Sequence, residues 1–256
     1  MKRTFQALSI DMKRAFGSIN FFIAAIGVCI VYYASVWREI FPKANILTLF
    51  EYAPVSLGPL IALFCVLPYT TSFCSDWNSQ YIRLIAIRTG HRGYGLSKAI
   101  SCALSSGSAI ALGNALFIIS LMPRLALVSE SSIKSAAAHT VGGEFLLNGQ
   151  YGMYFAIRIY LAFLAAAFWS VAGLCASSYM PNKFVALCTP FIASFFLNRA
   201  TSTFPVWLRL NKISEGMCMV KGTWVSLAYA TLLYTMLTVA VGLLFVRTAK
   251  RRLANG

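Results

Sequence analysis

Six stretches of the chain contain no Asp, Glu, Lys or Arg, and the charged residues lie between them. A helix that crosses the hydrocarbon core of a bilayer needs about 20 mostly apolar residues. Most of the stretches reach that length, so the pattern predicts an all-α polytopic membrane protein with six transmembrane helices. The predicted spans are Ala15–Trp37, Tyr52–Ser75, Ala99–Met122, Ile159–Asn182, Phe184–Asn198 and Gly222–Val246.

The fifth stretch is short, and an apolar outer segment follows it. Its 15 residues, with Pro190 in the middle, make a helix of about 22 Å, which barely crosses the bilayer. The next residues, Ala200–Leu208, are too few to span and too apolar for a free loop. We expect this part of the outer loop 199–221 to be re-entrant or interfacial, before the sixth span.

Residues 1–16 predict an amphipathic helix that lies in the membrane interface. A cytoplasmic extension of the first span is the alternative. The apolar positions at helical spacing are Phe5, Leu8, Met12, Ala15 and Phe16, and the polar positions on the other side are Lys2, Arg3, Gln6, Lys13 and Arg14.

The second and third spans have compositions that affect packing. Pro54, Pro59 and Pro68 each remove a backbone donor, so the second span should be kinked or should start late. The third span carries small residues that let another helix approach closely; a polar substrate path is the alternative to packing. The small residues are Ser101, Ala103, Ser105, Ser106, Gly107, Ser108, Ala109, Ala111 and Gly113.

Composition excludes a soluble monomer and a disordered chain. Of the 256 residues, 59% are apolar and only 11% are charged, with a mean hydropathy of +0.71, whereas a soluble domain has about 25% charged residues. The chain has 22 Lys and Arg against 7 Asp and Glu, a formal charge of +15. These charges form short groups at membrane edges, so we attribute them to topology and lipid headgroups and expect no nucleic acid.

The distribution of basic residues predicts the orientation. Thirteen of the 22 Lys and Arg lie on the side of the two termini, eight lie on the other side, and Arg158 falls at the start of the fourth span. Cytoplasmic segments retain positive charge, so both termini are expected in the cytoplasm. No linker or repeat divides the chain, and residues 1–256 are interpreted as one transmembrane domain.

No motif predicts an enzyme, a metal site or a nucleotide site. HExxH and GxSxG are absent, Gly90–Lys98 lacks phosphate-loop spacing, and seven scattered cysteines contain no CxxC. All seven carboxylates lie outside the uncharged stretches. Proton- or sodium-coupled carriers usually keep an ionisable residue near the midplane, so ion-coupled transport is disfavoured.

Arg158 is the one charged residue expected to enter a span. Its long side chain could snorkel to the headgroups, which is the favoured interpretation. A position on a substrate path, facing an anionic substrate, is the alternative.

The loop 75–98 predicts a short amphipathic helix. Ser75 or Asp76 would cap it and Gly90 would end it. Such a helix needs a partner, either a lipid surface or a cytoplasmic protein. Its apolar positions are Trp77, Tyr81, Leu84 and Ile85.

The loop also contains Asp76 at the end of the second span, then Ser79, Arg83-Leu-Ile-Ala-Ile87, Arg92-Gly-Tyr94 and Ser97-Lys98. In these residues it resembles the membrane subunits of ABC exporters of the type 2 permease family, which often have Gly at the position of Ser79. The stretch from Ala172 to Pro190 is similar to the family's small-residue end of the fourth span, its Asn-Lys turn and its fifth span with proline.

The resemblance implies a permease subunit of the bacterial plasma membrane that pairs with a second copy or a paralogue. Two cytoplasmic ABC ATPase subunits would hold ATP and Mg²⁺ and dock on the coupling helix, so this chain needs no cofactor and no ATPase site of its own. An amphipathic or hydrophobic peptide, drug or lipid would be exported. The implied coupling interface comprises Asp76, Trp77, Tyr81, Arg83, Arg88, Arg92 and Lys98.

Two other classes remain open. A non-transporting membrane protein, such as an immunity or assembly factor, would use the basic loop only to sit on anionic lipid. An ion-coupled secondary transporter would require gradient-dependent uptake.

Overall fold

The structure, a computed structural model, describes residues 2–40, 45–82, 90–217 and 222–255, and within them all regular secondary structure is helical apart from one isolated bridge between Thr140 and Met217. The helices are α1 Lys2–Phe16, α2 Ile19–Val36, α3 Ile46–Val66, α4 Ser72–Asn78, α5 His91–Leu121, α6 Glu130–His139, α7 Gly143–Leu147, α8 Tyr151–Tyr179, α9 Lys183–Ala200, η1 Val206–Leu208, α10 Leu210–Ser214 and α11 Thr223–Asn255. The all-α prediction is confirmed for the described residues.

Four helices in this part of the chain are long and apolar enough to cross a membrane. They have windows with a mean hydropathy of 1.7 to 2.0 and coincide with the predicted first, third, fourth and sixth spans. The four segments are Ile19–Val36, Arg92–Leu121, Tyr151–Tyr179 and Thr223–Arg252.

The predicted second span is not one continuous helix. α3 begins at Ile46, earlier than predicted, so the expectation of a late start is wrong; the helix ends at Val66, and a turn separates it from α4. Pro68 lies in that turn and has no N–H with which to continue the helix. The predicted fifth span corresponds to α9, which has 18 residues. Neither α3 nor α9 is among the four membrane-length helices.

The long helices differ in how much of their surface the protein covers. Within their apolar windows, α5 is 56% and α8 is 61% buried, whereas α2 is 33% and α11 is 22% buried. α5 and α8 are therefore the inner pair. The outward faces of α2 and α11 carry exposed aliphatic and aromatic residues, such as Phe22, Ile26, Leu232 and Met236. Such faces suit lipid better than water.

Close helix packing explains the small residues of α5. A Cβ on Gly107 would lie 2.6 Å from the Phe163 ring, and one on Gly113 would lie 2.7 Å from the carbonyl oxygen of Ala25. Three serines of the tract, Ser101, Ser105 and Ser106, are fully buried. In this structure the tract therefore packs α5 against α2 and α8.

The N-terminal helix presents three faces rather than two. Asp11 and Ala15 are buried against the bundle, and Phe5 is exposed with 76% of its surface accessible. Ser18, between α1 and α2, is the N-cap of α2, since its hydroxyl accepts a hydrogen bond from the Phe21 N–H. The predicted helix is present; the charged Asp11 on its buried side was not predicted.

The segment between α9 and α11 folds over one end of the bundle. The Tyr229 hydroxyl donates to the Trp207 carbonyl oxygen at 2.8 Å, and the Tyr234 hydroxyl donates to that of Leu210 at 2.8 Å. Phe204 and Trp207 remain exposed, so the interfacial prediction stays open. The short helices α6 and α7 were not predicted; Asn45 fixes the start of α6 by donating to Ser129 and Ser132.

We predict that Gly113→Ala destabilises the bundle because the new methyl group would meet the backbone of α2. Gly152→Ala is the matched control, since a Cβ there has no neighbouring atom within 4 Å and alanine is the better helix former by about 1 kcal/mol. Thermal unfolding in detergent should show a lower midpoint for Gly113→Ala and an equal or higher one for Gly152→Ala. Equal midpoints for the two variants would contradict the close approach of α2 and α5.

Candidate functional site

A buried group of charges lies where α1, α4 and the start of α5 meet. Its three charged members are Asp11 on α1, Asp76 on α4 and Lys98 on α5, with 6%, 4% and 0% of their surfaces exposed. We call these residues, together with Tyr69, Tyr94 and Ser97, the charge cluster. The end of the bundle that holds it is the Lys98 end, and the opposite end is the Arg158 end.

The Lys98 ammonium makes three polar contacts. Its Nζ lies 3.1 Å from Asp11 Oδ1, 2.9 Å from Asp76 Oδ2 and 2.9 Å from the Tyr69 hydroxyl. A lysine ammonium has three N–H donors. The described structure thus satisfies the whole donor capacity of the buried cation.

The two carboxylates are held by hydroxyl groups as well. Tyr69 donates to Asp11 Oδ1 at 2.5 Å, and Ser97 donates to Asp11 Oδ2. Tyr94 donates to Asp76 Oδ2 at 3.0 Å. Buried charges are tolerated when they are both paired and hydrogen-bonded, and both conditions are met here.

Helical spacing brings these groups onto shared faces. Tyr94 and Lys98 are four residues apart, so they lie one above the other on α5. Asp11 lies three residues after Leu8 and four before Ala15, so α1 presents it on the face that packs against the bundle. Gly95 lets α11 come close, since a Cβ there would lie 2.9 Å from the Val246 side chain.

Two acids and one lysine leave an excess negative charge, and Arg14 lies beside it. Its guanidinium is 3.9 Å from Asp76 Oδ1, with half of the arginine side chain exposed. The contact is long and water reaches the arginine, so it contributes less to stability than the enclosed contacts of Lys98. The buried contacts of Lys98 therefore dominate the energetics of the cluster.

Arginines from α1 and α11 contact aromatic side chains on α4 and just after it. Arg252 lies over the Trp77 ring at 5.5 Å and donates to the Tyr179 carbonyl oxygen. Arg14 lies over the Tyr81 ring at 5.8 Å. These contacts join the end of α4 to α1, α8 and α11.

The seven predicted interface residues fall into distinct places. Asp76 and Lys98 are buried in the charge cluster and have no surface to offer a partner, Trp77 is half-buried, and Tyr81 and Arg92 are exposed. Arg83 and Arg88 lie outside the described residues. Asp11, Tyr69 and Tyr94 join the cluster without having been predicted as site residues; the spacing of Asp11 within the apolar positions of α1 was the available signal.

The structure describes only the first part of the predicted helix of the loop. Ser75 and Asp76 lie inside α4, so neither is an N-cap and the predicted cap is wrong. Leu84 and Ile85, two of the predicted apolar positions, lie outside the described residues. Thr71 precedes the helix, and Asp76 turns inward to Lys98 instead of capping. Gly90, with φ +76°, immediately precedes α5, which places Arg92 and Lys98 on a long helix rather than in a loop.

Arg158 does not snorkel to the surface. It is 6% exposed, and a Cβ on Gly216 would lie 2.6 Å from its Nη1, so the loop before α11 covers the guanidinium. The favoured sequence interpretation is therefore wrong. The helix α8 begins at Tyr151 rather than near Ile159, which takes Arg158 two turns into the helix.

The charge cluster connects three helices. Its ionised groups are enclosed, and each is engaged by others. No group of three or more His, Cys, Asp or Glu capable of holding a metal ion occurs among the described residues. The arrangement can hold three helices in one geometry and transmit a displacement of any one of them.

Comparison with known proteins does not place the chain in a family. No protein-family model matches the sequence, and neither a curated protein nor a solved structure matches it. The resemblance of the 76–98 region to type 2 permeases therefore stays an expectation.

We predict that Lys98→Met strongly destabilises the protein because it leaves two carboxylates buried without their cation. Breaking a buried ion pair by removing one partner typically costs about 3–5 kcal/mol. Thermal unfolding in detergent should show a large fall for this variant and little change for Lys250→Met, which removes an exposed lysine at the same end.

A triple variant separates lost charge pairing from lost packing. Adding Asp11→Asn and Asp76→Asn to Lys98→Met neutralises the orphaned acids and should restore part of the midpoint. A Lys98→Met midpoint equal to that of Lys250→Met would contradict the importance of the cluster.

Proposed function

We propose that the chain is the permease subunit of an ATP-driven exporter of the plasma membrane, with ATP hydrolysis in separate cytoplasmic subunits. The observation that carries this proposal is the charge cluster, which attaches α4 to α1 and α5. It thereby also holds the start of residues 79–90, which join α4 to α5 and which we call the connecting segment. A partner that displaces the segment would therefore displace three helices together. The resemblance of residues 76–98 to a coupling helix supports the same assignment.

The proposed coupling runs through this connection. An ATPase would bind exposed groups beside the cluster, such as Tyr81 after α4 and Arg92 at the start of α5, while Asp76 and Lys98 hold this region to the bundle. Closure of the ATPase pair on nucleotide would move α4, α1 and α5 as one body. Rigid-body shifts of packed elements are a common way to switch between two conformations.

A permease of this kind would have six spans, so α3 and α9 would cross the membrane in addition to the four membrane-length helices. A second copy or paralogue would complete the transport path. The Lys98 end would face the cytoplasm, in agreement with the excess of Lys and Arg on the side of the termini. The cargo would be amphipathic or hydrophobic, since the long helices are apolar and contain few charges.

The position of the carboxylates disfavours the ion-coupled alternative. Both aspartates lie at the Lys98 end, and the five glutamates lie toward the Arg158 end. Glu51 is engaged there by the Tyr154 hydroxyl at 2.7 Å, and Glu215 by Lys212 at 2.6 Å. A carrier driven by a proton or sodium gradient would ordinarily keep an acid free within the membrane.

Purification from the native membrane in mild detergent tests the proposal. A P-loop ATPase should co-purify at near equimolar ratio, and the complex should hydrolyse ATP. The absence of any nucleotide-binding partner under several gentle extraction conditions would favour the non-transporting class. Uptake that depends on an ion gradient and not on ATP would favour the secondary transporter.

We predict that Arg92→Glu reduces ATPase co-purification without changing thermal stability. Arg92 is exposed, so the substitution reverses a charge at the proposed interface without disturbing the packing of the bundle. Lys250→Glu makes the same charge change at the same end, on α11, and Arg124→Glu makes it at the opposite end. Both controls should retain the partner. Equal recovery of the ATPase with all three variants would remove Arg92 from the interface.

A further inference from the structure

A cavity of about 140 Å³ lies toward the Arg158 end, between α2, α3, α5, α8, α9 and α10. Apolar and aromatic side chains line it together with polar side chains from α5, α8, α9 and α10. The lining residues that matter for its chemistry are Tyr32, Phe50, Cys65, Asn114, Arg158 and Trp169.

Arg158 brings to this cavity a positive charge whose contacts are with the Phe50 and Tyr154 rings, at 5.9 and 6.0 Å. Its Nη1 is buried and has no hydrogen-bond partner, although the residue as a whole is only 6% exposed. No Asp or Glu side chain of the described residues forms an ion pair with it; Glu215, which also lines the cavity, pairs with Lys212. A buried arginine nitrogen without an acceptor is costly, so the site favours an incoming anion.

Asn114 adds an unused acceptor to the same cavity. The residue is fully buried on α5, and its Nδ2 donates to the Ile110 carbonyl oxygen at 3.0 Å. Its Oδ1 has no partner. A ligand that satisfied both residues would place an acidic oxygen toward Arg158 and an N–H or O–H donor toward Asn114.

We propose that this cavity binds a compact organic carboxylate that carries one further hydrogen-bond donor and an apolar body, as an apolar amino acid or hydroxy acid does. A single arginine suits one negative charge, and the planar guanidinium matches a carboxylate. Phe50 and Trp169 provide apolar walls. A cavity of roughly 150 Å³ is filled by about one benzene ring, so a phenyl body would leave no room for the carboxylate and the donor. The apolar body is therefore aliphatic and no larger than isobutyl. This binding site stands independently of the proposed exporter function.

The test is calorimetric titration of the purified full chain with L-leucine. Two fragments of leucine separate the polar contacts: isopentylamine lacks the carboxylate and isocaproate lacks the amine. Leucine should bind, and isopentylamine should bind at least about tenfold more weakly, as expected for the loss of a charged hydrogen bond. Isocaproate should also bind more weakly than leucine, because it lacks the ammonium group that would donate to Asn114.

Substitutions in the cavity assign these effects to residues. Arg158→Gln should weaken leucine at least about tenfold, whereas Arg124→Gln, an exposed arginine toward the same end, should leave the affinity unchanged. Asn114→Ala should weaken leucine to the level of isocaproate and leave isocaproate itself unaffected. Size-exclusion chromatography and thermal unfolding report whether each variant is folded.

Three results would overturn the proposal. They are no heat from leucine at about 10 mM, isopentylamine binding as tightly as leucine, and a folded Arg158→Gln variant with unchanged leucine affinity. The fragment comparison uses the unmodified chain, so it decides the question even where a variant does not fold.

Discussion

The burial of one ammonium group controls the geometry of the Lys98 end. Lys98 is inaccessible to solvent, and an ion taken out of water without compensation carries a penalty of several kcal/mol. Compensation comes from carboxylates on two other helices, Asp11 and Asp76. If α1 or α4 alone moved away from α5, a buried charge would lose its partner, which is unfavourable. The three helices α1, α4 and α5 are therefore held together. This attachment makes the connecting segment a suitable place to receive a mechanical signal.

The other end of the bundle also buries a cation, but leaves one of its nitrogens without a hydrogen-bond partner. Arg158 is nearly as buried as Lys98, yet its Nη1 has no partner, and Asn114 Oδ1 shares that cavity without a donor. The charge cluster is complete within the described chain and therefore behaves as structure. The Arg158 cavity holds complementary groups that the described residues do not satisfy, which makes it suitable for a ligand.

The helices between the two ends are organised by side-chain size. Gly107 and Gly113 allow α8 and α2 to approach α5 closely, and this close packing forms the inner part of the bundle. Larger apolar side chains point outward from α2 and α11, where hydrocarbon rather than water is the favourable surrounding. Dispersion contacts of the small-residue faces thus replace the hydrophobic effect, which is weak between helices in lipid.

Hydropathy along the chain was sufficient to predict an all-α membrane protein, four of its long helices, the N-terminal helix and the packing role of the small residues in α5, because each depends on local length, period or residue size. It predicted poorly where a helix ends: Glu51 lies inside α3, Arg158 lies inside α8, and Pro68 divides what a continuous apolar stretch presents as one span. The pairing of Asp11, Asp76 and Lys98 was invisible for a different reason. These residues are far apart in sequence, and no local pattern shows which helices bring them together. Only the tertiary structure decided that Lys98 and Arg158 are both buried and that one is paired and the other is not, because burial and pairing depend on which helices meet.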